Sequence, residues 1–216
     1  MDELEYNGET ATLVTLRQEA QRTLDNQLSA LDDIDTKAMA ILRVNIILLG
    51  LLLTLLSLAA DPGFLAGPDP RYVAALTNSY MFVGIVSLLF STALAALTYT
   101  ASDADVGIEY EKIHAVIDAD LTEREFEIAA AQTYGHWIRY NRRTNKLNSL
   151  LITLTSILAI VAIANLSLAV YSAFVDQYTG MLVLITWLLL GRLAWMAGLP
   201  AQVRSALGVI NEERRS

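Results

Sequence analysis

Cysteine is absent, lysine occurs only three times, at Lys37, Lys112 and Lys146, and the only histidines are His114 and His136. Without cysteine there are no disulfides, haem thiolates or thiol-based metal sites, although the redox compartment stays open. No phosphate-binding glycine loop, HExxH zinc motif or serine nucleophile elbow occurs, so the sequence points to no enzyme and to no cofactor. The histidines fall on different expected helices, and His136 borders Trp137 with no carboxylate on its face, so no metal site is expected from them. Asp118 and Asp120 imitate the opening of a calcium loop, but Glu123 stands where glycine is required and Ala129 where the closing glutamate belongs. A basic start followed by a short apolar core is also missing, because the chain opens with Asp2, Glu3, Glu5 and Glu9. The first apolar run is therefore expected to remain in the mature protein.

What is abundant is apolar sequence, at 54% of 216 residues. Four runs stand out, at about Val44 to Ala60, Ser79 to Ala101, Leu150 to Ala173 and Met181 to Leu199, each near the ~20 residues needed to cross hydrocarbon. Only Arg192 puts a charge inside them. These runs predict an all-α, four-span transmembrane helix bundle with long cytoplasmic helical extensions. Residues 1–43 read as a cytoplasmic amphipathic helix, 44–101 as a first transmembrane hairpin and 102–149 as a cytoplasmic helical hairpin. Residues 150–199 read as a second transmembrane hairpin and 200–216 as a cytoplasmic tail. Asp61-Pro62-Gly63 and Gly67-Pro68-Asp69-Pro70 punctuate the first outer loop.

Fourteen of the fifteen basic residues lie on what four antiparallel crossings make a common side, with Arg71 alone opposite. Both termini and the central polar segment should therefore be cytoplasmic, in a multi-pass cell-membrane protein. Arg139, Arg142, Arg143 and Lys146, just before the third run, are the main inner-interface anchors. Arg192, about 14 residues or roughly 21 Å along a helix from Tyr178, joins them by snorkelling. The polar segments are nonetheless acidic, and the chain carries a net charge of −8. This lysine-poor, acidic balance resembles the surfaces of proteins from salt-loving archaea. No sustained basic face is present, so double-stranded nucleic acid is not an expected partner.

Leu13, Leu16, Ala20, Leu24, Leu28, Leu31, Ile34, Ala38 and Ile41 recur at a mean interval of 3.5 residues. That spacing makes one seam of a helix packed on another helix, either within the chain or between copies. Leu24, Leu28, Leu31 and Ile34 are its central candidates. Thr122 and Glu125 form a capping box at the start of a second long helix, with Leu121 and Phe126 at the positions of a hydrophobic staple. A shorter helix is expected before it, from Ala104 to Ile117. Phe126, Ala129, Ala130, Thr133, Trp137, Thr144, Leu147 and Leu150 would face inward, Phe126 and Trp137 being the seam candidates. No proline or glycine interrupts His136 to Ala173, so a helix of ~78 Å could run from Thr122 into the third span. Within the spans, Asn45 and Asn165 are candidates for polar packing through hydrogen bonds across helices.

The stretch Asp35-Thr36-Lys37-Ala38-Met39-Ala40-Ile41-Leu42-Arg43-Val44-Asn45-Ile46-Ile47-Leu48-Leu49-Gly50 resembles the Asp-x-Lys-Ala…Asn…Leu-Leu pattern of membrane domains in Pycsar-type antiphage effectors and related haloarchaeal membrane proteins. Trp137-Ile138-Arg139-Tyr140-Asn141-Arg142-Arg143-Thr144-Asn145-Lys146 is similar to the polar run before a later span in the same group. The resemblance implies an antiviral membrane effector that damages the membrane after sensing a cyclic pyrimidine nucleotide. No nucleotide-contact motif carries onto residues of this chain. The expectation is a non-enzymatic, oligomeric membrane effector or sensor, with the lipid bilayer, a homo-oligomer and a cyclic nucleotide as its partners. One alternative is a membrane scaffold that recruits a cytoplasmic protein partner; another is a small ion channel.

Overall fold

The computed structural model describes residues 9–60, 78–100, 114, 116–175 and 179–213. Residues 61–77, expected to form the first outer loop, most of the helix expected over Ala104–Ile117 and the residues after Glu213 lie outside that set. The protein is all-α, with no strand among the described residues. The helices that can be bounded among the described residues are α1 (Thr10–Ala60), α2 (Ser79–Thr100), α3 (Glu123–Phe174), α4 (Thr179–Met196) and α5 (Leu199–Glu213). Three of them, α1, α2 and α3, are long and apolar enough to cross a membrane; α4 and α5, joined by a 50° bend, are together apolar enough for a fourth crossing if the pair counts as one span. The chain is thus a multi-pass membrane protein.

Local chemistry sets the helix ends. The Thr122 backbone N–H donates to Glu125 Oε2 at 2.8 Å and its hydroxyl to the same oxygen at 2.6 Å, while the Glu125 N–H in the first turn of α3 donates to the Thr122 hydroxyl oxygen at 3.4 Å, which closes the capping box. Those donors hold the Glu125 carboxyl below its usual range. Just before this cap the chain turns through Asp120 at φ 45°, a left-handed conformation that a short polar side chain tolerates. At α2 the cap is Asn78, whose Oδ1 accepts the Met81 N–H at 3.0 Å. Between α4 and α5, Gly198 adopts φ 71°, the left-handed helix terminus that glycine takes without steric cost.

The contacts divide the chain into two compact units, one made of Met1–Asp33 with Ser102–Asn145 and the other of Ile34–Ala101 with Lys146–Ser216. Both α1 and α3 are unbroken helices that contribute to each unit. Within the first unit they run parallel. Arg17 Nε donates to Glu127 Oε2 at 2.8 Å, and ten residues on Gln27 Nε2 donates to the Ile138 carbonyl at 3.3 Å. Asn145 Nδ2 in turn donates to the Gln27 carbonyl at 3.0 Å. The seam of α1 is therefore occupied by α3 of the same chain.

Leu13, Leu24 and Leu31 are buried along that seam, and Trp137 is buried on α3, edge-on to Tyr134 with ring centroids 5.2 Å apart. Leu28 and Ile34 are half-buried, as are Ala20 and Ile41. Leu16, expected on the seam, is 55% exposed, and Phe126, expected to face inward, is 38% exposed. One cause accounts for both. The Arg17–Glu127 ion pair takes the interior position at this level, and the residue just before each partner is turned about 100° away around its helix. Ala129 is exposed for the same phase reason. The Glu127 carboxylate raises the Arg17 guanidinium above its ordinary value, chiefly through their hydrogen bond.

The line on α3 that is actually buried repeats every seven residues. Glu127, Asn141, Asn148, Thr155, Ala162 and Ala169 are buried, with half-buried Tyr134 filling the remaining place. On α1 the matching line is Leu24, Leu31, Ala38 and Asn45. A strict seven-residue repeat is the period of a left-handed supercoil, whose interior positions fix register when polar.

Candidate functional site

The second unit contains a polar cluster with no exposure to its surroundings. Asn45 on α1, Ser91 on α2 and Thr155 on α3 are each 0% exposed. Asn45 Nδ2 donates to Ser91 Oγ at 2.9 Å, and Ser91 Oγ donates to the Thr155 backbone carbonyl at 2.9 Å. Ser91 thus ties all three helices together, while the Thr155 hydroxyl donates within its own helix to the Leu151 carbonyl. The Asn45 amide oxygen has no hydrogen-bond partner. A sequence separation of 110 residues relates Asn45 to Thr155, as the Arg17–Glu127 pair has in the first unit.

α2 brings these groups together because of its own composition. Gly84, Ser87, Leu88, Ser91, Ala95 and Thr98 are its buried residues, five of them small and spaced at three or four. At Gly84 the helices approach so closely that a Cβ would lie 2.8 Å from Leu166 Cγ and 3.2 Å from the Leu166 backbone nitrogen. α2 runs antiparallel to α3: at its start Asn78 Nδ2 donates to the Ala169 carbonyl at 3.1 Å and to Ser172 Oγ at 2.9 Å. Small residues permit this backbone approach, and hydroxyl and amide groups bond across it, the arrangement that holds helices together in lipid.

Of the two asparagines picked out in the spans, Asn45 bonds across helices. Asn165 is equally buried, but its Nδ2 donates to the Val161 carbonyl of its own helix at 2.8 Å. Ser91, Thr155, Asn148, Thr98 and Asn78 escaped the sequence reading. Their signal was the seven-residue spacing of Asn141, Asn148 and Thr155 and the small-residue repeat of α2, both masked there by attention to apolar positions alone. The anchors divide as well: Arg139, Arg142 and Arg192 are exposed, whereas Arg143 and Lys146 are half-buried.

The cluster consists of amides and hydroxyls, with no titratable side chain in its hydrogen bonds. It can hold three helices in one register and exchange hydrogen bonds if they shift. Among the described residues no group of three His, Cys, Asp or Glu could hold a metal ion, and both His114 and His136 are exposed. No protein-family model, curated protein or solved structure matches the chain.

Proposed function

We propose that the protein is a non-enzymatic membrane effector or sensor in which the polar helices bias the packing of the membrane bundle. The observation that carries this reading is the continuity of α1 and α3, each an uninterrupted helix of more than 50 residues shared by both units. A rotation or separation of the two helices near Arg17 and Glu127 would be felt along the same helices at Asn45 and Thr155. There, a polar cluster with one unpaired acceptor has hydrogen bonds to exchange rather than only apolar contacts to lose. Arginine placement supports an orientation with both termini and the central segment in the cytoplasm. The likeness of the Asp35–Gly50 stretch to antiphage effectors supports membrane permeabilisation as the output and a cyclic pyrimidine nucleotide as the first signal to try. Because α3 fills the α1 seam, oligomerisation would use exposed apolar faces of the second unit, where Leu51, Leu53, Leu184 and Leu188 are more than half exposed.

The test is dye leakage from proteoliposomes. Leakage on adding cyclic CMP or cyclic UMP, with a changed threshold in Arg17→Ala, supports the reading. A folded, oligomeric protein that never leaks with either nucleotide, and is indifferent to Arg17→Ala, overturns its ligand-gated form. A scaffold role is the second reading, favoured by an exposed face of α1 that carries Ala11, Thr12, Thr15, Leu16 and Glu19 and leaves Leu16 uncovered. Retention of a cytoplasmic protein by the wild type, lost in Leu16→Asp with leakage absent throughout, selects it.

A further inference from the structure

The corner between α4 and α5 combines features that neither the helical seam nor the polar cluster uses. From Thr179 to Asn211 the only charged residues are Arg192 and Arg204, and the acidic Glu212 and Glu213 come only in the last turn of α5. The corner is a built one. Gly198 N–H closes α4 on the Trp195 carbonyl at 3.0 Å, and the Gly198 carbonyl accepts from Ala201 and Gln202, each at 3.0 Å, to open α5. The axis turns by 50° at this point. α4 is 18 residues long, ~27 Å, which nearly matches the ~30 Å of hydrocarbon. A helix that turns away at its end therefore leaves from the bilayer interface.

On α5, Leu199, Val203, Ala206 and Leu207 share one arc of about 100°, and Arg204 and Ser205 lie outside it. The protein covers only part of this arc: Ala206 is 3% exposed, whereas Leu207 is 55% exposed. Trp195 and Met196, the last residues of α4, are 74% and 72% exposed. Arg192 lies one turn before Trp195 on the same face of α4, and both Arg192 and Arg204 are exposed. An apolar edge, an exposed tryptophan and arginines as the sole charges are the chemistry of a helix lying in an anionic interface.

We propose that α5 lies along the membrane surface with Val203 and Leu207 at the acyl boundary, and that Arg192 and Arg204 bind the phosphate of an anionic phospholipid at the corner. This is independent of the effector reading and of which side of the membrane α5 occupies. In the full-length, cysteine-free protein in nanodiscs, spin labels on Ser205→Cys and Leu207→Cys report depth. The Leu207 position should be reached by oxygen and the Ser205 position by a water-soluble nickel complex. Nickel access at both makes α5 a free tail, and oxygen access alone at both makes it the second half of a broken span; either result overturns the proposal. Native mass measurement after reconstitution in phosphatidylcholine with phosphatidylglycerol reads the headgroup part. Retention of phosphatidylglycerol should fall about fivefold for each arginine changed to glutamine, and be kept by Arg192→Lys with Arg204→Lys. Equal retention in a double glutamine variant that melts with the wild type removes the arginine site.

Discussion

The two units join α1 to α3 with opposite chemistry. Where the sequence is polar, the seam is built from Leu13, Leu24, Leu31 and Trp137, closed at one level by the Arg17–Glu127 pair. Where the sequence is apolar, Leu88 and Leu168 are buried, but so are Asn45, Ser91, Thr98, Asn148, Thr155 and Asn165, with Gly84, Ala95, Ala162 and Ala169 between them. In water, removing apolar surface drives association. In lipid that drive vanishes, since a leucine gains little by leaving acyl chains for another helix, and association falls to close packing and hydrogen bonds. Leucine and tryptophan therefore carry most of the first seam, and small and polar residues much of the second.

The sharpest way to break this contrast is Trp137→Ala. Trp137 is 5% exposed, and its removal should cost the first unit about 3–5 kcal/mol. Amide exchange along Thr10–Asp33 should accelerate strongly, while the amides around Ser91 keep their protection. Equal loss of protection in both would mean that the units do not respond as separate packing regions. Arg17→Ala comes next. Glu127 is buried, so losing its guanidinium partner leaves an acceptor unsatisfied and should cost about 1–3 kcal/mol. Replacing both residues with methionine should recover much of that loss, since the desolvation of the pair disappears with it.

In the second unit the same contrast is tested by size before polarity. Gly84→Ala puts a methyl against Leu166 Cγ and the Leu166 backbone and should cost about 1–3 kcal/mol. Gly50→Ala meets nothing within 4 Å and should be neutral or slightly stabilising, since alanine prefers a helix. Ser91→Ala, which removes both bonds joining α1 and α3 to α2, should cost about 1–2 kcal/mol, whereas Thr155→Val loses only a bond to its own helix and should cost less. Reversible unfolding in mild detergent ranks all four. A Thr155→Val cost above that of Ser91→Ala would show that the cluster is not the tie between helices.

The apolar runs and the capping box were legible because each is written in contiguous or closely spaced residues: hydrocarbon length needs an uncharged run, and a cap needs Thr122 and Glu125 three apart. The phase of α3 was not. Of the inward face expected there, Trp137 is buried and Thr133 half-buried, but Phe126 and Ala129 are exposed, because the buried line also takes in the polar Glu127 and Asn141. A carboxylate enters that line only because Arg17, 110 residues away, meets it. No local pattern on α3 announces such a partner. Likewise Asn45 and Asn165 read alike in their runs, and only the opposing Ser91 makes one of them a tie between helices. Residues 200–216 looked like a tail, and Leu199 like the end of the fourth run, because the apolar arc of α5 is split by polar neighbours; Gly198 and Pro200 mark the turn that begins α5.

The smallest expected effect is a matter of pH, and it is confined to the water-exposed first turn of α3. Glu125 takes bonds from the Thr122 N–H and hydroxyl, which favour its ionised form and lower its carboxyl below the value it has in the unfolded chain. The folded state therefore binds its proton less readily than the unfolded state. The contribution is fully present above the unfolded carboxyl's range and fades as pH falls through the lowered folded one. Acidification should fray residues 122–126, seen as faster exchange of the Thr122 and Glu125 amides after correction for the intrinsic rate. Glu125→Gln keeps an acceptor in the same place without a titrating proton, so its first turn should lose this dependence. The bundle's polar cluster, which has no titrating member, should show no corresponding step at Ser91 over the same range. A step at Ser91 that disappears in Glu125→Gln would mean that the cap of α3 is coupled to the membrane bundle, and the two packing chemistries would then have to be treated as one system.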